Sequence, residues 1–131
     1  MMKVSLLIID PQNDFCNPNG ALFVPGANED MQRFSTWIQE SQLDEIYVTL
    51  DSHHLFDVAH PIFWQNSKGK NPAQFTIITA NMVKNGEWVP TIPALTDRMI
   101  NYVETLENND RYPLCIWPPH CLIGSWGYGI V

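Results

Sequence analysis

At 131 residues the chain has room for one domain with a buried core, and 45% hydrophobic with 16% charged residues is a globular balance, neither disordered, collagen-like nor coiled-coil. A formal net charge of −7 excludes the basic footprint of a nucleic-acid binder and implies an acidic surface that anionic partners avoid. No apolar run approaches the roughly 18 residues of a membrane span, and three cysteines without zinc-knuckle spacing read as reduced thiols of a cytoplasmic protein.

The chain opens with a continuous apolar run, Lys3 to Ile9, that ends in Asp10 and has no small-residue cleavage site after it. Its β-rich composition predicts a strand buried on both faces. Asn17-Pro18-Asn19-Gly20 and Pro25-Gly26 then mark a turn-rich loop. From Asn28 a helical period begins, with Met31, Phe34, Trp37 and Ile38 on one side and charged or amide residues largely on the other. Asn28 is the expected N-cap, with Glu29 and Asp30 where the helix dipole favours acids.

Glu45 to Leu50 reads as a second strand, ending at Asp51, and residues 52–74 read as a long loop carrying His53, His54 and His60. Phe75–Thr79 and Asn85–Val89 suggest a small antiparallel hairpin, because Asn-Gly is a hairpin turn signal. A second helix is expected over 93–107, with Leu95, Met99, Tyr102, Val103 and Leu106 on one face and Pro in its first turn. Asn108-Asn109-Asp110 ends it, and Pro113 to Trp117 reads as a third strand.

This alternation implies an α/β fold, a Rossmann-like doubly wound parallel sheet with flanking helices. In such sheets ligands bind beyond the carboxyl ends of the strands. Asp10, Asp51 and His120 each lie at or just past the end of an expected strand, so the topology directs all three to one edge.

Asp51-Ser52-His53 places a carboxylate and an imidazole two residues apart, on the same side of an extended segment. That mixed donor set suits Zn²⁺, Mn²⁺ or Fe²⁺. The plainer alternative is an Asp that caps a loop beside solvated histidines. Trp117-Pro118-Pro119-His120 fixes a further imidazole on a turn stiffened by two prolines, with the indole as an aromatic wall; an ordinary proline turn would look the same. Asp10 is either a general base at the end of a buried strand or the cap of the loop that follows. No cysteine has a Lys or Arg beside it in sequence to depress its pKa.

Taken in order, these segments resemble the nicotinamidase/isochorismatase-like cysteine hydrolases. Leu6 to Cys16, with Asp10 and then Gln12-Asn13-Asp14-Phe15, looks like the opening signature of that family, and Gly20-Ala21-Leu22 with Val24-Pro25-Gly26-Ala27 is similar to its next segment. Thr49-Leu50-Asp51-Ser52-His53 resembles the metal motif, and Trp117-Pro118-Pro119-His120-Cys121 with Gly124 resembles the motif bearing a further metal histidine. The metal motif points to the nicotinamidase-like branch. The resemblance implies that Asp10 is the general base of a cysteine nucleophile and that Asp51, His53 and His120 bind a divalent metal, typically zinc. His60 is a weaker further ligand, and Phe15 and Trp117 wall a small amide substrate.

The chain also departs from that pattern. The segment between His60 and Trp117 is longer than in compact nicotinamidases. The family's catalytic Lys and nucleophilic Cys come after the Trp-Pro-Pro-His-Cys motif, and neither has a counterpart within these 131 residues; Cys121 matches the motif's own cysteine. The expectation is therefore that residues 1–131 form the N-terminal part of one hydrolase domain, truncated to half the fold. Such a half would cleave an amide C–N bond only with the missing half present, and a second chain or a homo-oligomer would complete its sheet. The alternative is a non-catalytic remnant of the same fold that keeps metal or ligand binding, or an interaction fragment.

Overall fold

The computed structural model describes residues 3–109 and 112–131. These fall into two packing units, residues 1–54 with 120–131 and residues 55–119.

In the first unit, strand β1 (Ser5–Ile8) pairs in parallel with β2 (Glu45–Val48), in the register Ser5 to Glu45 through Ile8 to Val48. A short helix, α1 (Asn13–Cys16), and a long one, α2 (Ala27–Glu40), form the crossover between them. Helix α2 starts one residue before the expected cap: Gly26 occupies the N-cap, and Glu29 and Asp30 fill the first turn. Its apolar residues Met31, Phe34 and Ile38 line a cleft with Ile8 and Val48 of the sheet and with Ile130 and Val131. The expectation that β1 is buried on both faces does not hold. Leu7 is 59% and Tyr47 56% exposed, because the sheet of this unit has two strands and its helix covers one side.

The second unit holds the principal apolar core. A 3-10 turn (Pro61–Phe63) leads into β3 (Trp64–Gln65); β4 (Ile77–Ile78) is followed by α3 (Ala80–Lys84), β5 (Val89–Pro90), a 3-10 turn (Pro93–Leu95), α4 (Thr96–Asn108) and β6 (Leu114–Cys115). Phe63, Trp64, Ile78, Val83, Met99, Val103, Leu114 and Ile116 pack together, and the indole N–H of fully buried Trp64 donates to Val58 O at 2.7 Å.

Two expectations change here. Residues 75–89 do not form a hairpin. Thr79 caps α3 by accepting from Met82 N, and Asn85-Gly86 ends that helix with Gly86 at φ +72°, the left-handed conformation glycine adopts at helix termini. The two apolar stretches therefore go separately, β4 to β6 and β5 to β3, both antiparallel. The strand expected over 113–117 exists as Leu114–Cys115, but its partner is Ile77–Ile78. The parallel α/β crossover is thus carried by β1, α2 and β2.

Candidate metal centre

Because β1 and β2 run parallel in register, the residues just beyond Ile8 and Val48 emerge at the same sheet edge. Asp10 stands there in the left-handed region at φ 51°, a conformation Asp tolerates better than most residues. Thr49, just past β2, holds it in place: its hydroxyl donates to Asp10 Oδ1 at 2.6 Å, and Asp10 N donates to Thr49 Oγ1 at 3.1 Å. The half-buried carboxylate keeps a second oxygen for chemistry.

Asp51 and His53 follow on the loop after β2. Nε2 of His53 lies 3.0 and 3.1 Å from the two oxygens of Asp51, and Nε2 of His120 lies 3.3 Å from Asp51 Oδ2. The two imidazole rings are 4.8 Å apart between centroids. His120 is buried, and Phe15 meets it edge-on at 5.5 Å. Each of the three residues offers a donor atom within 4.8 Å of the others.

A tetrahedral zinc with ligand bonds of about 2.0–2.2 Å needs donors roughly 3.3–3.5 Å apart. The separations of 3.0 to 3.3 Å around Asp51 meet that requirement with little movement. Two imidazoles and one carboxylate also form a donor set that leaves coordination positions for water or substrate. The residues fit a divalent ion.

Main-chain hydrogen bonds join the two ligand-bearing segments. His53 N donates to Cys121 O at 3.0 Å and Ile123 N to His53 O at 3.0 Å, an isolated parallel bridge between His53 and Leu122. Cys121 itself is in the left-handed region at φ 47° and has no exposed surface. Burial, then the carboxylates of Asp51, Asp14 and Asp10 and the Cys16 thiol, push its thiol up to about 12. It stays protonated at neutral pH, the opposite of an activated nucleophile. Burial also raises Cys16 and Cys115.

Sequence reasoning missed what supports the site. Gln12 is fully buried, with its side-chain amide on the backbone of Asp51 and Tyr128. Asp14 is buried with its carboxylate on Cys121 N and Ala21 N. Both belong to the quoted opening segment, yet their partners are main-chain groups far along the chain, which no side-chain pattern announces.

The remaining expected site residues lie in the other unit. His60 is fully buried, with Nδ1 3.2 Å from Leu55 O. Trp117 is 39% exposed and meets Phe75 edge-on at 5.8 Å.

The nicotinamidase of Saccharomyces cerevisiae is 29% identical to the chain over 129 residues, which cover 97% of this chain and 48% of that protein. The crystal structure of the yeast nicotinamidase Pnc1p bound to the inhibitor nicotinaldehyde superposes with a TM-score of 0.56 at 25% identity, over 99% of this chain and 49% of that one. The chain has the nicotinamidase/isochorismatase-like fold. A second structure of yeast Pnc1p agrees on that fold, with a TM-score of 0.57 at 24% identity. The chain spans about half the length of the relatives it matches. No family model matches it.

Proposed function

We propose that this chain is the metal-binding, base-bearing half of a cysteine hydrolase site that takes a small nicotinamide-like amide. The observation that carries the reading is the convergence of His53 Nε2 and His120 Nε2 on the Asp51 carboxylate, at the strand edge where Asp10 also emerges. Asp51, His53 and His120 would hold a divalent ion, zinc by preference and manganese or iron by the same donor chemistry. Such an ion supplies a Lewis-acid anchor that orients the substrate. Phe15, edge-on to His120, presents an aromatic face beside that anchor. Asp10, fixed by the Thr49 hydroxyl, would take the proton of an attacking thiol.

The thiol and a partner lysine must come from outside these residues. Cys121 is buried and held protonated, so the site here supplies a base and an anchor without a nucleophile. The exposed apolar residues Leu7, Ile9 and Tyr47 on and beside the two-stranded sheet support pairing with a further part of the same fold, in this protein or in a second chain.

The test is ammonia release from nicotinamide by the zinc-loaded chain, alone and with the C-terminal half of the fold supplied. The expected result is no release alone, release on complementation, and loss of that release in Asp10→Asn. Turnover by the chain alone, or full complemented turnover in Asp10→Asn, would contradict the proposal. The protected state of Cys121 favours a second reading, a non-catalytic binding domain of this fold; metal uptake without activity under any complementation would select it.

A further inference from the structure

The ligands of the candidate centre come from two segments far apart in sequence, so something must fix their separation before an ion arrives. We infer that Gln12 and Asp14 are positioning residues that set this separation by gripping the backbone on either side of the site; the inference rests on the metal-site reading above.

Gln12 has no exposed surface and uses its whole amide. Nε2 donates to Asp51 O at 2.8 Å and to Tyr128 O at 3.0 Å, while Oε1 accepts from Asp51 N at 2.8 Å. Both peptide groups of Asp51 are thereby held by one side chain, as a neighbouring strand would hold them. A primary amide alone among side chains offers this pair of donors with an acceptor. Glutamate would set an oxygen against two carbonyl oxygens, and leucine would leave all three main-chain groups without this partner.

Asp14, two residues on, does the same for the other segment. Its Oδ2 accepts from Cys121 N at 2.7 Å and its Oδ1 from Ala21 N at 2.9 Å. The bond to Cys121 secures the peptide immediately after His120, where the backbone is in the left-handed region. Gly127 shows how closely this carboxylate is packed, since a Cβ there would collide with all three atoms of the Asp14 carboxylate. The N-cap and first turn of α1 therefore reach Asp51 through Gln12 and the residue after His120 through Asp14, and the distance between these ligands, 3.3 Å, follows from it.

The experiment is Co²⁺ titration of the metal-free chain, read by visible absorption, for wild type, Gln12→Glu and Asp14→Asn, under conditions where circular dichroism shows each apo protein folded. Partners that orient metal ligands are typically worth about 10–100-fold in affinity. Losses of that size with an altered cobalt spectrum are expected. Folded variants with wild-type affinity and spectrum would overturn the inference alone, whatever their melting temperature. Failure of the wild type to bind cobalt would overturn the metal reading and this inference with it. If neither variant folds, amide hydrogen exchange in the wild type decides. Asp51 N–H and Cys121 N–H are expected to be protected without metal, and protection appearing only after cobalt is added would overturn the inference.

Discussion

Gly127→Ala is a sensitive probe of how the site is supported, because it alters neither a ligand nor a ligand's partner. The added methyl would lie far inside the roughly 3.5 Å of ordinary non-bonded contact with Asp14, against both carboxylate oxygens and Cγ. Asp14 has a short side chain anchored at both oxygens, so it yields only by giving up its bonds to Cys121 N and Ala21 N. Each hydrogen bond to a charged group contributes about 1.5–3 kcal/mol, and some of the sum returns through relaxation, so a loss of about 2–5 kcal/mol is expected. That is a large fraction of a total stability of about 5–15 kcal/mol. The assay is urea unfolding followed by circular dichroism, with Gly129→Ala as the comparison. A methyl at Gly129 meets Trp126 O at 3.2 Å and Asn13 Nδ2 at 3.4 Å, a contact small shifts can absorb. Its expected cost is below about 1 kcal/mol. A Gly127→Ala protein as stable as Gly129→Ala would refute the reasoning that Asp14 is locked.

Thr79→Ala removes the cap of α3 and is expected to destabilise the chain by about 1 kcal/mol in the same assay; unchanged stability would mean the bond to Met82 N contributes nothing. Ile78→Ala empties a fully buried position in the core of residues 55–119 and should cost about 2–5 kcal/mol, whereas an exposed-site cost below about 0.5 kcal/mol would contradict that burial. Cys121 should resist a thiol reagent at pH 8 until denaturant is added, while half-buried Cys115 reacts in the native protein; rapid native labelling of Cys121 would contradict its burial. With its pKa raised from 9.0 to about 12, the unfolded chain loses the Cys121 proton first. The associated stability is therefore complete below about pH 9 and declines as pH rises toward 12. Cys121→Ser should flatten that decline in urea midpoints measured across the window, and an unchanged profile would assign it to other groups.

The parallel strands were legible as short continuous apolar runs and both long helices as apolar residues recurring with the helical period. The reading of 75–89 failed for a local reason. Asn-Gly serves a hairpin and a helix end equally well, and Thr79 had already committed the segment to a helix through its cap. Asp51, His53 and His120 could be singled out as candidates because ligand chemistry resides in the side-chain types themselves, and the structure brings their donor atoms within 4.8 Å of one another. Gln12 and Asp14 could not, since their function is exercised on peptide groups of Asp51, Tyr128 and Cys121, and every residue has a peptide group. Likewise Gly127 is informative only once Asp14 is seen against it.

The most direct test of the central claim is calorimetric titration of the metal-free chain with Zn²⁺, for wild type, Asp51→Asn and His120→Ala. The account predicts one ion bound per wild-type chain, with each substitution costing at least the roughly 10–100-fold in affinity that a lost outer partner costs a metal site. Absence of stoichiometric binding to the wild type, or equal binding by the substituted proteins, would contradict it.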